Sequence, residues 1–346
     1  MVQVLEEPAV RLMPDPLYQL AMGFTFTRTL LAAHRLGLLE ALSERDKSPD
    51  ELATEKNFSR AATEMLLEAC AALKLCAKSR GRYALTPIVK QFLLRESPTY
   101  LGHFFDHFND HIYPAWSHLE EAVRTGQGQI HRVIGDPQDH FFQAIDRTPG
   151  DLETFMLTME EHSVLEGDAL AAAYNFSSHH QLLDVAGGTG AMSAAIVKRY
   201  PNVRAVVLER PSAAEVAQRI LRGRGLSDRI QVQAGDMFKD PLPTGADVAL
   251  LSGTLHNWGP PQAQAILLQC RQALMPGAKL LISEQVLDEA ADSPIGPLCS
   301  LNMMVLMGGR EYSKAEYVSM LSAADFELEE IRPTDSVRQL LIAKRR

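Results

Sequence analysis

Cysteine is scarce in this chain. Four occur in 346 residues, Cys70, Cys76, Cys270 and Cys299, and no two stand in a Cys-x-x-Cys spacing. That argues against a disulfide framework and against a structural zinc site, and it suits a reducing compartment. Long apolar runs are missing too. None reaches the roughly 18 residues that a membrane-spanning helix needs. The opening stretch MVQVLEEPAVRLMPDP is acidic and broken by proline, unlike a secretory signal. Basic charge is in deficit, with 34 Lys and Arg against 43 Asp and Glu and a formal net charge of −9. Sequence-independent nucleic-acid binding needs cations to displace counterions, so this balance disfavours it. No internal repeat and no low-complexity linker interrupts the chain. The expectation is a soluble cytoplasmic protein with no membrane, nucleic-acid or metal partner, long enough for two domains.

What is present divides into an N-terminal helical part and a C-terminal alternating part. Residues 17–110 carry apolar residues at helical spacing, with Gly37 as a break. In SPDELA, Ser48 stands at an N-cap, Pro49 in the first turn and Glu51 three residues after the cap, a capping box. FSRAATEMLLEACAAL repeats the device with Ser59. LCAKSRGRYALTPIVKQFL then reads as two short strands around a basic glycine turn. Helix, helix–turn–helix and hairpin in that order make a winged-helix layout. Such a layout can read DNA, but Glu64 and Glu68 on the second helix would repel phosphates. It can equally serve as a dimerisation module. The expected boundaries are 1–112 for this module and 113–346 for a catalytic domain, with pocket-forming helices over 113–175.

From residue 181 short apolar runs alternate with helical segments. The runs are QLLDVAG, RAVVLER, IQVQAGD, DVALLSG and KLLISEQ, followed by FELEEIRPT and VRQLLIAKR. Continuous apolar strands separated by helices imply a mostly parallel sheet covered on both faces, and two successive final strands imply an antiparallel edge.

Three strand ends carry acids. LLDVAGGTG gives Asp184 before a turn with Gly187, Gly188 and Gly190, which opens a helix. The spacing is not the G-x-G-x-x-G of dinucleotide sites. Glu209 ends the second strand, where a carboxylate can accept both hydroxyls of a ribose. Asp236 follows the third, with Met237 and Phe238 as apolar walls for a base. Three acids and no lysine of a phosphate loop suit a nucleoside that is cationic rather than phosphorylated, and S-adenosylmethionine fits that description. Taken singly, Glu209 or Asp236 reads as a solvated loop carboxylate; the ordered set carries the argument.

The fourth strand ends LLSGTLHNWGPP. A histidine at a strand end of an α/β sheet is a base, a metal ligand or a strand cap. Asn257 is expected to shape its turn, and Pro260 and Pro261 to start the next helix. Upstream, HFFDHFNDHIY sets His103, His107 and His111 at i, i+4 and i+8, predicting one helix face. They are expected to line a pocket or a dimer contact rather than hold zinc. Phe155, Met156 and Met159, with Met303, Met304 and Met307, form a set of apolar, adaptable side chains.

LLDVAGGTG, VLERP, GDMF, LHNW and GGREYSKAEYVSMLSAADF, in that order, resemble the small-molecule O-methyltransferases of the caffeic acid/hydroxyindole (acetylserotonin) type, including bacterial natural-product tailoring members. The resemblance spans essentially the whole chain. It implies a Rossmann-like α/β methyltransferase domain, with a mostly parallel seven-stranded sheet and an antiparallel edge strand. It also implies an N-terminal, mainly helical winged-helix module that forms a homodimer, whose partner helices close the active site. By resemblance His256 is the general base, oriented by Glu284 and Glu311. The cofactor, S-adenosyl-L-methionine, leaves as S-adenosyl-L-homocysteine. Its expected contacts include Arg210, Ser252 and Trp258 besides the strand-end acids and glycines already named. The acceptor, a phenolic or polyketide-type aromatic, is expected against His107, His111, Phe155, Met159, Asn302, Met303 and Met307. The chain departs from the family pattern at Ala186, usually Gly; at Glu209, often Asp; at Asn257, often Asp; and at Ser252, often Lys or Arg. C-methylation, non-methylating chemistry on the same cofactor, and a ligand-sensing regulator are the competing readings. Clustered oxygens for a catalytic magnesium are not evident from spacing.

Overall fold

The computed structural model describes residues 15–135, 141–147, 149–287 and 293–346. Most of the acidic N-terminal stretch, up to residue 14, lies outside them. The chain forms two compact units, divided between Gly102 and His103.

The first unit begins with α1 (Asp15–Arg35) and α2 (Leu38–Ala41), separated at Gly37, whose φ is 66°. Then come α3 (Pro49–Lys56), α4 (Arg60–Ala72), β1 (Cys76–Ser79), β2 (Arg82–Leu85) and α5 (Pro87–Phe92). The capping box of α3 is complete: Glu51 N donates to Ser48 Oγ at 3.3 Å, and Ser48 N donates to Glu51 Oε2 at 2.7 Å. Only half of the device recurs at α4. Ser59 Oγ accepts from Ala62 N at 3.5 Å, but Ala62 has no carboxylate to return the bond. Between β1 and β2 the turn is carried by Arg80 and Gly81, at φ 50° and 76°, the positive values a two-residue hairpin turn requires. The acids of α4 are internally paired, Glu64 with Arg60 and Glu68 with Lys78.

The second unit starts with helices: α6 (Gly102–His107), a π-helical turn (Phe108–Ile112), α7 (Tyr113–Trp116), α8 (Leu119–Thr125), α9 (Phe141–Asp146) and the long α10 (Pro149–Ala173). The alternating part follows as β3 (Gln181–Val185), α11 (Ala191–Arg199), β4 (Arg204–Glu209), α12 (Pro211–Gly223), β5 (Ile230–Ala234), β6 (Val248–Ser252), α13 (Pro260–Ala273) and β7 (Lys279–Glu284). It ends with β8 (Val286–Leu287), α14 (Ile295–Met307), β9 (Tyr312–Ser313), α15 (Lys314–Ala323), β10 (Phe326–Pro333) and β11 (Gln339–Arg345).

Seven strands form one sheet in the order β10-β11-β7-β6-β3-β4-β5. β5, β4, β3, β6 and β7 run parallel, and β11 is antiparallel to both β7 and β10. The antiparallel strand is therefore second from the edge. Successive residues of each central strand face opposite layers. Leu183, Leu251 and Ile282 pack with α13 and α15 in one cluster, while Leu182, Leu250 and Leu281 pack with α10 and α11 in another. This two-sided cover is why the strands read as unbroken apolar runs. From β3 the chain winds outward through β4 and β5, then returns to place β6 on the other side of β3. The switch point lies between β3 and β6, and ligands of open α/β sheets bind at the carboxyl ends flanking such a point. Among the described residues no helix is long and apolar enough to cross a membrane.

Candidate active site

The turn after β3 is shaped around a buried carboxylate. Asp184 is 1 % exposed. Ser193 Oγ donates to its Oδ2 at 2.7 Å, and Oδ1 has no hydrogen-bond partner in the protein. Burial pushes the Asp184 carboxyl up to about 6, against the Ser193 hydrogen bond. The backbone then passes so close that a Cβ on Gly187 would lie 2.5 Å from Asp184 Cγ. Gly188 and Gly190 follow at φ 58° and 80°, and Gly190 caps α11. Ala186 also has positive φ, 55°, a strained value for a residue with a Cβ and the place where the family usually has glycine.

Glu209 closes this cradle from β4. Its Oε2 accepts from Gly188 N at 3.0 Å and its Oε1 from Arg210 N at 2.9 Å. Burial raises its carboxyl, with Arg210 pulling the other way. The Arg210 guanidinium is fully engaged: it pairs with Asp146 and, through Nε at 3.5 Å, with Glu209 Oε1, donates to Phe142 O at 3.0 Å and lies 4.8 Å from the Phe142 ring centroid. Asp236 caps its own turn, accepting from Phe238 N at 2.9 Å and pairing with Lys239 at 2.9 Å. Burial opposes ionisation there, yet those bonds hold its carboxyl below the usual value. Phe238 meets Trp258 edge-on at 4.6 Å, Phe142 lies 6.0 Å from Trp258, and Met237 packs beside them. From α10, the buried Glu160 accepts from Thr189 Oγ1 and pairs with Arg224, clamping the glycine turn.

These residues fit a cationic nucleoside. The cradle offers acids with spare lone pairs, an open glycine turn at a helix N-terminus and an aromatic wall. Its arginine is already paired, so it presents no cation to a phosphate.

Beyond β6 lies a second constellation. His256 sits in a 3₁₀ turn (Leu255–Asn257). Its Nδ1 is 2.8 Å from Glu311 Oε1 and 3.4 Å from Glu284 Oε2. Glu284 ends β7, is fully buried, and its Oε1 accepts from Thr254 N at 2.7 Å and Leu255 N at 2.8 Å. It thus ties down the donors that open the histidine's turn. Asn257 Nδ2 completes that turn, donating to Gly253 O at 3.0 Å and Thr254 O at 3.2 Å. On the other side Arg310 N donates to His256 O at 2.9 Å. A Cβ on Gly309 would lie 2.1 Å from that same oxygen, so only glycine permits this approach.

An ionised carboxylate only accepts, so Nδ1 carries a proton and Nε2 holds the lone pair. Burial lowers the affinity of His256 for a second proton, but Glu284 and Glu311 outweigh it and the imidazole is raised above its ordinary value. Burial likewise raises Glu284. Spacing showed no oxygen cluster; the fold makes one. Among the described residues His256, Glu284 and Glu311 are the one His/Cys/Asp/Glu group that could hold an ion, with ligand atoms within 4.8 Å of one another. One nitrogen and two carboxylates would suit zinc better than magnesium.

His103 and His107 stand one turn apart on α6, and the π-helical turn that carries His111 follows. His103 Nδ1 pairs with Glu161 of α10 at 2.5 Å. His107 and His111 do meet, Nδ1 to Nδ1 at 3.0 Å, so one donates and the other accepts. Burial pushes His107 down to about 3 and lowers His111 as well. Phe155, Met156, Met159, Met304 and Met307 join one apolar cluster, with the His107 ring 5.8 Å from Phe155. Met303 is buried on α14, and Asn302 Oδ1 accepts from Trp116 Nε1 at 2.7 Å. A cavity of about 580 Å³ opens beside Met304, Leu301 and Leu287 and reaches Gly308–Arg310, just ahead of Glu311. Ser252 ends β6 with its Oγ accepting from Arg338 Nη1 at 3.1 Å. Glu160, His162, Glu166 and Arg338 were not singled out in the sequence. They are polar residues on a long helix and before a strand, and no local pattern marks them.

Fold and site together define the class: a Rossmann-like methyltransferase whose cofactor is S-adenosylmethionine. The chain belongs to the O-methyltransferase family. Residues 116–327 match the O-methyltransferase domain and residues 18–95 the O-methyltransferase dimerisation domain. It is 34% identical over 312 residues to the 3-hydroxy-5-methyl-1-naphthoate 3-O-methyltransferase of Streptomyces sahachiroi, covering 90% of this chain and 89% of that one. It is also 34% identical over 336 residues to the acetylserotonin O-methyltransferase of Bos taurus, covering 95% and 97%. Among solved structures, human N-acetylserotonin methyltransferase in complex with S-adenosylmethionine superposes with a TM-score of 0.89 at 29% identity, covering 98% of this chain and 99% of that one. The chain is an S-adenosylmethionine-dependent O-methyltransferase, and its dimerisation domain supports a homodimer.

Proposed function

We propose that the enzyme methylates a phenolic hydroxyl of an aromatic or polyketide-type small molecule, with His256 as general base. The observation that carries this reading is the half-buried imidazole whose Nδ1 faces two buried carboxylates, Glu311 at 2.8 Å and Glu284 at 3.4 Å. When bound, the cofactor supplies a methyl on a positively charged sulfur, which is already electrophilic. The protein's own task is to hold the acceptor hydroxyl and take its proton. A phenol ionises near pH 10, so a positioned base lowers the barrier by about 10²–10⁴-fold in rate. In this reading His256 Nε2 takes the proton. Glu311 and Glu284 fix the tautomer through Nδ1 and stabilise the imidazolium that forms. The apolar cluster around Phe155 and the methionines supports a flat, apolar acceptor, as does the naphthoate named for the Streptomyces relative.

His256→Ala is expected to leave cofactor affinity, read by calorimetry, nearly unchanged. Turnover is expected to fall by about 10²–10⁴-fold. In the wild type, turnover should rise with pH as His256 loses its proton, with a midpoint above the ordinary histidine value of about 6.5 because the carboxylates raise it. Turnover of the variant within a few-fold of wild type would remove the base assignment. The oxygen-rich trio also admits a metal-assisted reading, and its test is dialysis against a chelator: unchanged turnover is expected, and loss restored by zinc would overturn the metal-free mechanism.

A further inference from the structure

S-adenosylmethionine carries more than a nucleoside and a sulfonium. Its other end is a free amino acid, whose carboxylate leaves water when the cofactor binds. Such a carboxylate needs a cation or several donors in exchange. The strand-end acids supply acceptors and the glycine turn supplies backbone N–H groups, but neither is a cation. Three cations around the cradle are already paired: Arg210 with Asp146 and Glu209, Arg224 with Glu160, and Lys239 with Asp236.

Arg338 is placed differently. It stands in the turn before β11, where its N donates to Ser336 Oγ at 3.0 Å and its carbonyl accepts from Thr334 Oγ1 at 2.6 Å. The next residue, Gln339, pairs with Glu284 at the carboxyl end of β7, so this turn lies at the ligand-binding edge of the sheet. From there the side chain crosses to the end of β6. Its Nη1 donates to Ser252 Oγ at 3.1 Å and lies 2.8 Å from Glu166 Oε2 of α10. An added Cβ on Gly253 would stand 2.8–3.2 Å from Nη2, Nη1 and Cζ alike, so the flat face of the guanidinium rests on that glycine. β6 flanks the switch point on one side, and β3, which leads into the glycine turn, flanks it on the other. α10 reaches both: Glu160 holds Thr189 of the turn, and Glu166 further along holds Arg338.

Both of these bonds fall on Nη1. Nη2 and Nε meet no acceptor among the described residues. A guanidinium has five N–H donors in one plane, so its Nη2–Nε edge is left for a ligand, and the side chain keeps 15% of its surface exposed. A buried ion pair is weak evidence for added stability, because desolvation offsets the attraction. Holding a cation ready for a ligand gives the pair with Glu166 a use. Ser252 is also short where the family often has Lys or Arg, and Arg338 brings a positive charge to that place from another part of the chain. We propose that Arg338 binds the amino-acid carboxylate of S-adenosylmethionine through its Nη2–Nε edge, while Glu166, Ser252 and Gly253 hold the guanidinium in place. Two parallel N–H groups match the two oxygens of a carboxylate, which a lysine ammonium cannot do.

The test reads binding, not turnover, and so stands apart from the assignment of His256. Two ligands are titrated into the full-length protein by calorimetry: S-adenosylmethionine and its decarboxylated form, which keeps the nucleoside, the sulfonium and the amine and lacks only the carboxylate. Wild type is expected to bind the carboxylated ligand about 10–100-fold more tightly, the worth of hydrogen bonds to a charged group. Arg338→Gln is expected to weaken S-adenosylmethionine by about that factor and to leave the decarboxylated ligand within about threefold. Retained binding of the decarboxylated ligand also shows that the variant is folded. Arg338→Lys should recover part of the loss, because it restores the charge without the planar edge. An equal loss for both ligands would make Arg338 a brace for the end of β6 and overturn the proposal, as would no loss for either. If Arg338→Gln does not fold, Arg338→Lys decides by the same comparison: a loss confined to S-adenosylmethionine supports the proposal, and a loss shared by both ligands, or none, overturns it.

Discussion

At the residue scale, much of the site is decided by which atoms are absent. Gly187 has no Cβ because the Asp184 carboxyl occupies that space. Gly187→Ala should push the turn outward, and overpacking of this kind costs about 1–3 kcal/mol. The cofactor's dissociation constant, measured by calorimetry, should then rise about tenfold or more. Affinity within twofold of wild type would show that the turn yields freely. Such single positions were partly legible. The glycines, Asp184, Glu209 and Asp236 stand at strand ends in sequence order, and a strand end is visible wherever an apolar run stops. Glu284 and Glu311 were legible by resemblance, since a lone acid at a strand end or before a helix has ordinary structural uses. The partners they make, two carboxylates on one Nδ1, depend on β6 and β7 lying side by side.

At the scale of elements, the strands and the helices between them followed from period and punctuation. β3, β6 and β7 are buried on both faces, so their sequences carry continuous apolar runs. Ser48, Pro49 and Glu51 announced α3, and the structure holds both bonds of that cap. Two elements escaped. The π-helical turn at Phe108–Ile112 is one, because a change of helical phase leaves no mark in composition. α10 hid its polar residues. No spacing in the sequence singles out Glu160, His162 and Glu166, yet they face the glycine turn, Arg338 and the region of His256. Only packing of α10 over the sheet brings them inside. Arg338 was equally silent, because the residue that receives it, Ser252, lies on a different strand.

At the scale of the molecule, α1 exposes more apolar surface than a solitary helix should. Leu17, Tyr18, Leu20, Met22, Phe24 and Phe26 are each more than half exposed. Exposed apolar patches of this kind mark interaction surfaces, and residues 18–95 match a dimerisation domain. Replacing Leu20 and Phe24 together by Asp should convert a two-chain mass to a one-chain mass in light scattering. An unchanged mass would place the dimer contact elsewhere.

The central claim is methyl transfer to an aromatic hydroxyl. It is tested most directly by incubating the enzyme with methyl-labelled S-adenosylmethionine and an extract of small molecules, then identifying the labelled product. The account predicts label in an aromatic methyl ether, formed by wild type and lost with His256→Ala. Label on carbon, or cofactor binding in calorimetry with no labelled product, would contradict it.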